Sequence, residues 1–221
     1  GALFALRTRG LFRFRANAFP QRGSVSIACR AIPFQVKTIE ELELPDVIRT
    51  LAEEPRGIIL LTGTTGLGKS TTLAAMIDHI NSTRARHIVT LEDPIEYLFE
   101  HKQSIVNQRE IGVDTQGYHK ALPNALREAP DLIMIGEIRD RDTMQQALLH
   151  TLTGHLCLST THANNSYHAL SRIINMFPYD ARSGLLSDLS IGLRAIICQR
   201  LVRNKEGEQQ PAVEILLNTS L

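Results

Sequence analysis

The chain has 221 residues, of which 43% are apolar, enough to bury the core of one domain with an appendage. Its net charge is +1, but residues 1–39 carry seven Lys or Arg and no acid, so the rest sums to −6, which argues against a surface that coats nucleic acid. The three cysteines form no C-x-x-C pair, and no apolar run is long enough to span a membrane. We therefore expect a cytoplasmic protein without a disulfide framework, a zinc knuckle or membrane insertion.

The basic N-terminal segment has the pattern of a β-hairpin. Residues 11–16 and 25–30 alternate apolar and polar side chains around a turn at 21–24. This alternation argues against the amphipathic helix of a mitochondrial transit peptide, which an Arg-rich segment can imitate. Because a lone hairpin is only marginally stable and the chain does not begin with Met, we expect residues 1–32 to end a longer upstream domain. Residues 33–56 have the pattern of a linker and a short helix.

A phosphate loop follows this linker. An apolar strand over 57–61 runs into a G-x-x-x-x-G-K-S pattern at 63–70, and apolar residues at helical spacing follow over 73–80. In such a loop the glycines let backbone N–H groups point at an anion, Lys69 adds positive charge for the β- and γ-phosphates, and Ser70 can place its hydroxyl on Mg²⁺. The predicted nucleotide-binding residues are Gly63, Thr64, Thr65, Gly66, Leu67, Gly68, Lys69, Ser70 and Thr71.

Strands and helices alternate through the rest of the chain. Strands are predicted at 87–91, 132–135, 156–160 and 212–217, and helices at 116–128, 142–152, 170–177 and 185–197. This alternation predicts an α/β fold, with a mostly parallel sheet covered by helices on both faces. We expect the 132–135 strand to lie close beside the strand that leads into the phosphate loop, so that Glu137 comes near Ser70.

Carboxylates follow two of these strands, where open α/β sheets hold their chemistry. Glu137, just after the 132–135 strand, is predicted to act on Mg²⁺ directly or through water. Glu92, Asp93 and Glu96 follow the 87–91 strand and are candidates to orient the attacking water. The alternative for this acidic cluster is a solvated loop, since short acidic turns after strands are common.

Two histidines flank the 156–160 strand, and either His155 or His162 could donate a hydrogen bond to the γ-phosphate. The alternative for each is a histidine satisfied by the backbone, and metal binding is less favoured because no third ligand is spaced with them. Arg109, Arg127 and Arg139 could stabilise developing charge within the subunit or from a neighbour. A surface salt bridge is the better interpretation for any single one of them.

One absent motif narrows the choice of nucleotide. A GTPase would carry an Asn-Lys-x-Asp guanine clamp, and the Asn-Lys pair at 204–205 lacks the Asp. GTP is therefore disfavoured. A small-molecule kinase would not explain two histidine-bearing strand ends after the Glu137 strand.

Four blocks of sequence occur in one order and are jointly specific. They are the phosphate loop, Ile88-Val89-Thr90-Leu91-Glu92-Asp93-Pro94-Ile95-Glu96, Gly136-Glu137-Ile138-Arg139-Asp140 and Thr153-Gly154-His155. With them the chain resembles the type II/type IV secretion ATPases from about residue 12 to residue 221, where they correspond to the family's Walker A, Asp box, Walker B and His box. Within the family it is most similar to the pilus retraction motors.

The resemblance implies roles for the site residues. Lys69 and Ser70 would bind ATP and Mg²⁺, and Glu96 would be the catalytic glutamate. Glu137 would be the Walker B glutamate, and His155 and His162 would belong to the His box.

The resemblance also implies an architecture and a set of partners. Residues 57–221 would form a RecA-like ATPase core, residues 1–32 would be the terminal hairpin of a PAS-like domain, and the family's C-terminal helices would follow residue 221. The full-length protein would form a homo-hexamer, dock on the inner-membrane platform protein of a type IV pilus machine and act beside a paralogous retraction ATPase. It would then power or assist pilus retraction and twitching motility from the cytoplasmic side of the inner membrane.

Four residues depart from the family's pattern, and they leave alternatives open. The departures are Leu67 in the loop, Pro123 inside a predicted helix, Leu152 before the His box, and Thr161. None removes a group assigned to catalysis, but together they permit a weakened enzyme. A working motor, favoured by the intact Lys69, Glu96 and Glu137, stands beside a structural ring subunit that supports an active paralogue. A type II secretion or pilus assembly ATPase is less favoured, because that branch usually carries a four-cysteine zinc module.

Overall fold

The computed structural model describes residues 2–7, 13–32 and 35–219, which form two separate sheets. The strands are β1 (Ala2–Arg7), β2 (Arg13–Gln21), β3 (Ser24–Ile32), β4 (Gly57–Thr62), β5 (His87–Glu92), β6 (Ile105–Glu110), β7 (Leu132–Ile135), β8 (Leu156–Thr161), β9 (Leu193–Arg203) and β10 (Gln209–Leu217). The helices are α1 (Val47–Ala52), α2 (Lys69–Thr83), α3 (Tyr118–Arg127), α4 (Arg141–Leu152), α5 (Ser166–Asn175) and α6 (Arg182–Gly192), with a 3₁₀ turn at Tyr179–Ala181. No helix among the described residues combines the length and apolar character needed to cross a bilayer.

The larger sheet has seven strands in the order β10-β9-β4-β8-β7-β5-β6. Neighbouring strands pair in parallel, apart from the antiparallel edge pair β9 and β10. Strands β4, β7 and β8 are buried along their whole length, which explains why their sequences are continuous apolar or small runs. The predicted α/β fold with a mostly parallel sheet is confirmed.

Apolar cores lie on both faces of this sheet. Along β4, Ile58 and Leu60 face one core, which contains residues of α3, α4, α5 and α6. Ile59 and Leu61 face the other, which contains residues of α1 and α2. A strand clamped between two cores holds the loop at its end in a fixed position.

The position of β7 corrects one prediction. β7 does not lie beside β4, because β8 is inserted between them and Leu156 pairs with both Gly57 and Leu132. At about 4.8 Å per strand, β7 is therefore about 10 Å from β4. The carboxyl ends of the three strands still open on the same edge of the sheet.

The segment predicted as one helix over 185–197 is in fact a helix and a strand. α6 ends at Gly192, where an added Cβ would lie 2.8 Å from Oγ1 of Thr151 on α4. The apolar residues that follow enter β9 and pair with β4. The prediction was wrong because this apolar run fits helical spacing locally, while the strand is selected by its distant partner. Strand β6, at the sheet edge, was not predicted.

The smaller sheet has the antiparallel order β1-β2-β3. Over the described residues the predicted hairpin is confirmed, with Arg13 paired with Ile32 and Gln21 with Ser24 across a turn at 22–23. Strand β1 adds to β2 and was not predicted. Some predicted segments include residues 11, 12, 33, 34, 220 or 221. At those positions the predictions lie outside the described residues.

Candidate functional site

The loop between β4 and α2 is shaped by glycines in the left-handed region of backbone space. Gly63 has φ +143° and Gly68 has φ +81°. An added Cβ would lie 2.6 Å from the Gln199 carbonyl oxygen at Gly63 and 2.8 Å from Gln199 Nε2 at Gly68. Both positions thus require glycine for backbone conformation and for space. The loop presents its N–H groups where α2 begins, which favours an anion.

Lys69 is held against this loop. Its Nζ donates to the carbonyl oxygens of Gly63 (2.7 Å) and Thr64 (3.0 Å), and the residue is 8% exposed. Burial lowers the pKa of Lys69, and the carboxylates of Glu137 and Glu96 oppose that change. The ammonium is therefore directed toward the loop and toward two carboxylates.

Glu137 follows β7 and is held at both oxygens by basic side chains. Arg139 donates to its Oε2 at 2.8 Å, and His162 Nε2 lies 3.0 Å from its Oε1. Arg139 precedes α4, and His162 follows β8. The carboxylate is half-buried and fixed in orientation by groups from two neighbouring strand ends.

The acidic segment after β5 is built around a buried carboxylate rather than being a wholly solvated loop. Glu92 Oε1 accepts from Thr90 Oγ1 (2.7 Å) and Gln108 Nε2 (3.1 Å), and its Oε2 accepts from the backbone N–H of Glu96 (3.2 Å). Burial raises the pKa of Glu92, and these hydrogen bonds oppose the change. Glu92 thus serves as the internal support of the segment, and Glu96 faces the cleft.

These elements enclose one cleft of about 550 Å³ at the carboxyl edge of the sheet. The predicted residues that line it include Thr65, Lys69, Ser70, Glu96, Glu137 and His162. Phosphate-loop N–H groups, an ammonium, a hydroxyl and two carboxylates therefore converge on one space. Such a set can hold an anion and a hard cation and can orient a water molecule.

Three residues at or beside the cleft were not predicted as site residues from the sequence. Tyr97 Oη lies 3.0 Å from Thr71 Oγ1. Tyr118 lines the cleft, and burial, with the Asp93 carboxylate, raises its pKa. Gln199, on β9, accepts a hydrogen bond from Thr72. In the sequence these residues are marked only as polar side chains in or beside predicted buried elements. That pattern does not show which residue each of them contacts.

His155 is not brought to this cleft within one chain. It precedes β8, and its carbonyl accepts from the N–H of Gly57 at the start of β4. The phosphate loop follows the other end of β4, about 20 Å away for six residues of strand. The prediction that His155 joins the catalytic group is corrected accordingly, because a residue before a parallel strand lies at the edge opposite to a residue after one. His155 instead stacks on His150, with ring centroids 4.5 Å apart.

The three arginines considered in the sequence lie in different places. Arg139 lines the cleft and pairs with Glu137, as described. Arg109 pairs with Glu128 at 2.8 Å, which is the surface salt bridge that the sequence favoured for a single arginine. Arg127 is exposed at the end of α3.

The four residues that depart from the family pattern lie in different parts of the fold and differ in exposure. Leu67 is half-buried in the loop, and Pro123 is accommodated inside α3. Leu152 is 39% exposed at the end of α4. Thr161 is buried, and its hydroxyl has no hydrogen-bond partner among the described residues.

The glycine loop between a buried parallel strand and a helix, with its lysine and facing carboxylates, defines a P-loop nucleotide-binding α/β protein. A family model described as Type II/IV secretion system protein matches residues 3–217. The chain belongs to this family, and the resemblance seen in the sequence is confirmed.

Two relatives and one solved structure carry names from the pilus machinery. The chain is 50% identical over 219 residues to "Type IV pilus ATPase PilU" of Pseudomonas aeruginosa, covering 99% of this chain and 57% of the relative. It is 43% identical over 216 residues to "Type IV pilus retractation ATPase PilT" of the same organism, covering 98% and 63%. The crystal structure of "the Pilus Retraction Motor PilT and Bound ADP" superimposes with a TM-score of 0.95 at 46% identity, covering 99% of this chain and 64% of that one. The chain thus spans about six tenths of the length of these proteins.

Proposed function

We propose that this chain is the nucleotide-binding core of an ATP-hydrolysing subunit of a type IV pilus machine, which powers or assists pilus retraction and twitching motility. The observation that carries the proposal is the convergence of Lys69, Ser70, Glu96 and Glu137 on one cleft. The relatives support the choice of machine, because two of them, at 50% and 43% identity, are named as type IV pilus ATPases. The crystal structure of PilT holds ADP, which supports an adenine nucleotide.

The nucleotide phosphates lie in the loop of residues 63–71. The backbone N–H groups of the loop and the N-terminal end of α2 stabilise the negative charge, and Lys69 exchanges its carbonyl contacts for phosphate oxygens. This exchange keeps the ammonium hydrogen-bonded throughout.

The residues present fit a Mg²⁺ ion that arrives with the nucleotide. Ser70 and Glu137 line the same cleft and offer a hydroxyl and a carboxylate, which are hard oxygen donors. No group of three or more His, Cys, Asp or Glu among the described residues could hold a metal alone, so phosphate oxygens would complete the set. When bound, Mg²⁺ neutralises charge that develops on the phosphates.

Glu96 orients the attacking water, since it reaches the cleft on a segment whose geometry is set by the buried Glu92. His162 donates toward the γ-phosphate and is held in place by Glu137. His155 has no part in this site.

The proposal extends to the whole protein. Residues 57–221 are the RecA-like core, residues 33–56 a linker with a helix, and residues 1–32 the last strands of a PAS-like domain. The full-length subunit works as a homo-hexamer at the cytoplasmic face of the inner membrane, with the pilus platform protein and a paralogous retraction ATPase as partners. The names of the relatives PilU and PilT support the choice of a type IV pilus machine, to which the other parts of this proposal belong.

Steady-state phosphate release by the full-length protein tests the function. We expect Mg²⁺-dependent ATP hydrolysis, loss of nucleotide binding in Lys69→Ala, and a turnover loss of about 10²-fold or more in Glu96→Gln with nucleotide affinity kept. Glu100→Gln, an exposed change on the same segment, is the matched control and should leave turnover unchanged. Nucleotide binding without hydrolysis in the wild type would favour the structural ring subunit.

A further inference from the structure

Gln199 lies beside the point where the phosphate loop leaves the sheet. It follows Cys198, which pairs with Thr62, the last residue of β4. It is only 3% exposed, although glutamine is mostly a surface residue. A buried side-chain amide requires hydrogen-bond partners, and Thr72 in the first turn of α2 is one of them.

The backbone of Gln199 sets the first bend of the loop. Its carbonyl oxygen lies 2.6 Å from where a Cβ on Gly63 would stand, so the loop leaves β4 in close contact with β9. Gly63 takes φ +143° at this point.

The side chain of Gln199 reaches the other end of the loop. Its Oε1 accepts from Thr72 Oγ1 at 2.8 Å, in the first turn of α2. Its Nε2 then faces Gly68, where an added Cβ would lie 2.8 Å away. One residue therefore contacts the first glycine of the loop, the last glycine and the start of the helix.

The polarity of the amide suits this place. Because Oε1 is used by Thr72, the NH₂ group is presented to the loop, and the positive end of the amide dipole lies beneath an anion cradle. A carboxylate of the same shape would place negative charge there. A leucine of similar size would leave the buried Thr72 hydroxyl without its acceptor.

We propose that Gln199 is a positioning residue that holds the phosphate loop in the curvature that binds nucleotide. It acts through Gly63, Gly68 and Thr72. The inference rests on the proposed nucleotide-binding function and deepens it.

Affinity of the full-length protein for mant-ADP tests the inference. Gln199→Leu should weaken binding about 10-fold, the effect of losing one buried hydrogen bond and the order of the loop. Thr72→Val removes the same bond from the other side, so the double variant should lose less than the sum of the two single losses. Binding by Gln199→Leu within twofold of the wild type, or strictly additive losses, would refute the inference.

A pH profile separates positioning from general damage. Gln199→Glu should bind more weakly than Gln199→Leu at pH 8, and its affinity relative to the wild type should recover toward pH 6 as the buried carboxyl takes up a proton. The relative affinity of Gln199→Leu should stay constant over the same range. Absence of recovery in Gln199→Glu would contradict the proposed role of the amide.

Thr151→Val controls for loss of stability. Thr151 is buried and donates to Leu148 at 2.8 Å near the opposite edge of the sheet, so this variant should lower the thermal midpoint and keep mant-ADP affinity. Equal weakening in Thr151→Val and Gln199→Leu would refute the inference. A wild type that binds no mant-ADP would refute the proposed function itself, whereas wild-type binding with an unchanged Gln199→Leu refutes only the positioning role.

Discussion

Glu137 interacts electrostatically with three basic residues of the site, Arg139, His162 and Lys69. Arg139 and His162 each contact one of its oxygens, and its side chain is 15% exposed. The charge-assisted hydrogen bond from Arg139 and the contact with His162 fix the plane of the carboxylate before any ligand arrives. The same carboxylate helps Lys69 to keep its proton against the effect of burial.

Replacing Glu137 by Gln should separate nucleotide binding from turnover. The amide keeps the shape of the side chain but removes the charge that would support the proposed Mg²⁺ ion and that pairs with both basic partners. We expect mant-ADP affinity to stay near the wild-type value and phosphate release to fall about 10²-fold. Fluorescence titration and steady-state phosphate release measure the two quantities. Wild-type turnover in this variant would remove Glu137 from the proposed mechanism.

His150 should make the protein sensitive to mild acid. It is 2% exposed, and its ring nitrogens have no hydrogen-bond partner among the described residues. Burial lowers the pKa of His150 to about 4, with a contribution from His155. The unfolded chain binds a proton near pH 6.5, so stability is full above that pH and is lost as pH falls from about 6.5 toward 4.

The His150→Phe variant tests this dependence. Between pH 7 and pH 4.5 the wild type should lose about 2 kcal/mol more free energy of unfolding than the variant, because phenylalanine stacks on His155 without titrating. Urea unfolding at a series of pH values gives the comparison. The exposed His119→Gln should follow the wild type, and parallel pH curves for wild type and His150→Phe would contradict the prediction.

At the scale of elements, α4 fixes the segment that carries Glu137 and Arg139. Asp140 caps this helix, because its Oδ1 accepts from the N–H of Thr143 at 2.8 Å. The N–H of Ile138 is bound to the carbonyl of Thr160 on β8. The segment between β7 and α4 is therefore tied at both ends.

Asp140→Ala should lower the free energy of unfolding by about 1 kcal/mol, the usual effect of removing an N-cap side chain. Asp142→Ala, an exposed change two residues further in the first turn of α4, should cost only a few tenths of a kcal/mol through the helix dipole. Denaturant unfolding distinguishes them. Equal decreases in the free energy of unfolding would show that the hydrogen bond from Thr143 to Asp140 does not stabilise the helix.

The elements also show which parts of the fold were open to prediction. The phosphate loop, β4 and α2 were predicted because their signals are local: a motif, an apolar run and glycines that the loop geometry requires. β9 was not predicted, since its identity depends on pairing with β4, which lies far away in sequence. β6 was missed because an edge strand with one buried face carries a weak apolar signal.

The site was predicted in part for the same reason. Glu96, Glu137 and His162 follow strands and reach the cleft, whereas His155 precedes β8 and lies at the other edge. The predicted strand at 156–160 already placed His155 before it, but the family resemblance assigned His155 to the His box without regard to the sheet edge at which that position lies. The role of Gln199 could not be predicted from the sequence, because the pairing of β9 with β4 is what brings it beside the phosphate loop and Thr72.

At the scale of the whole molecule, the two sheets are independent in hydrogen bonding. Among the described residues no strand ladder joins β1, β2 and β3 to the larger sheet. Both apolar cores contain residues from Ile39 onward. On β3, Val25 is 71% and Ile27 57% exposed. The smaller sheet therefore contributes little to the stability of the larger one.

Removing residues 1–32 should leave the rest of the protein folded, with a thermal midpoint changed by less than about 3 °C. Removing β10 instead should abolish cooperative unfolding, since its Val213 and Ile215 pack against a core. Circular dichroism during heating compares the two truncations. A non-cooperative transition after loss of residues 1–32 would show that the smaller sheet is required by the core.

The order of strands has a consequence for how the protein is made. On the ribosome, β4 and its phosphate loop emerge well before β8 and β9, the strands that flank it on either side. Gln199 is translated as part of β9. The nascent chain consequently carries a complete nucleotide motif without rigid support until β8 and β9 have been made, and the delay before both neighbours arrive exposes an apolar strand to wrong partners. A growing subunit gains the capacity to hold nucleotide only when β9 has left the exit tunnel, so binding competence reports that the sheet has closed around β4.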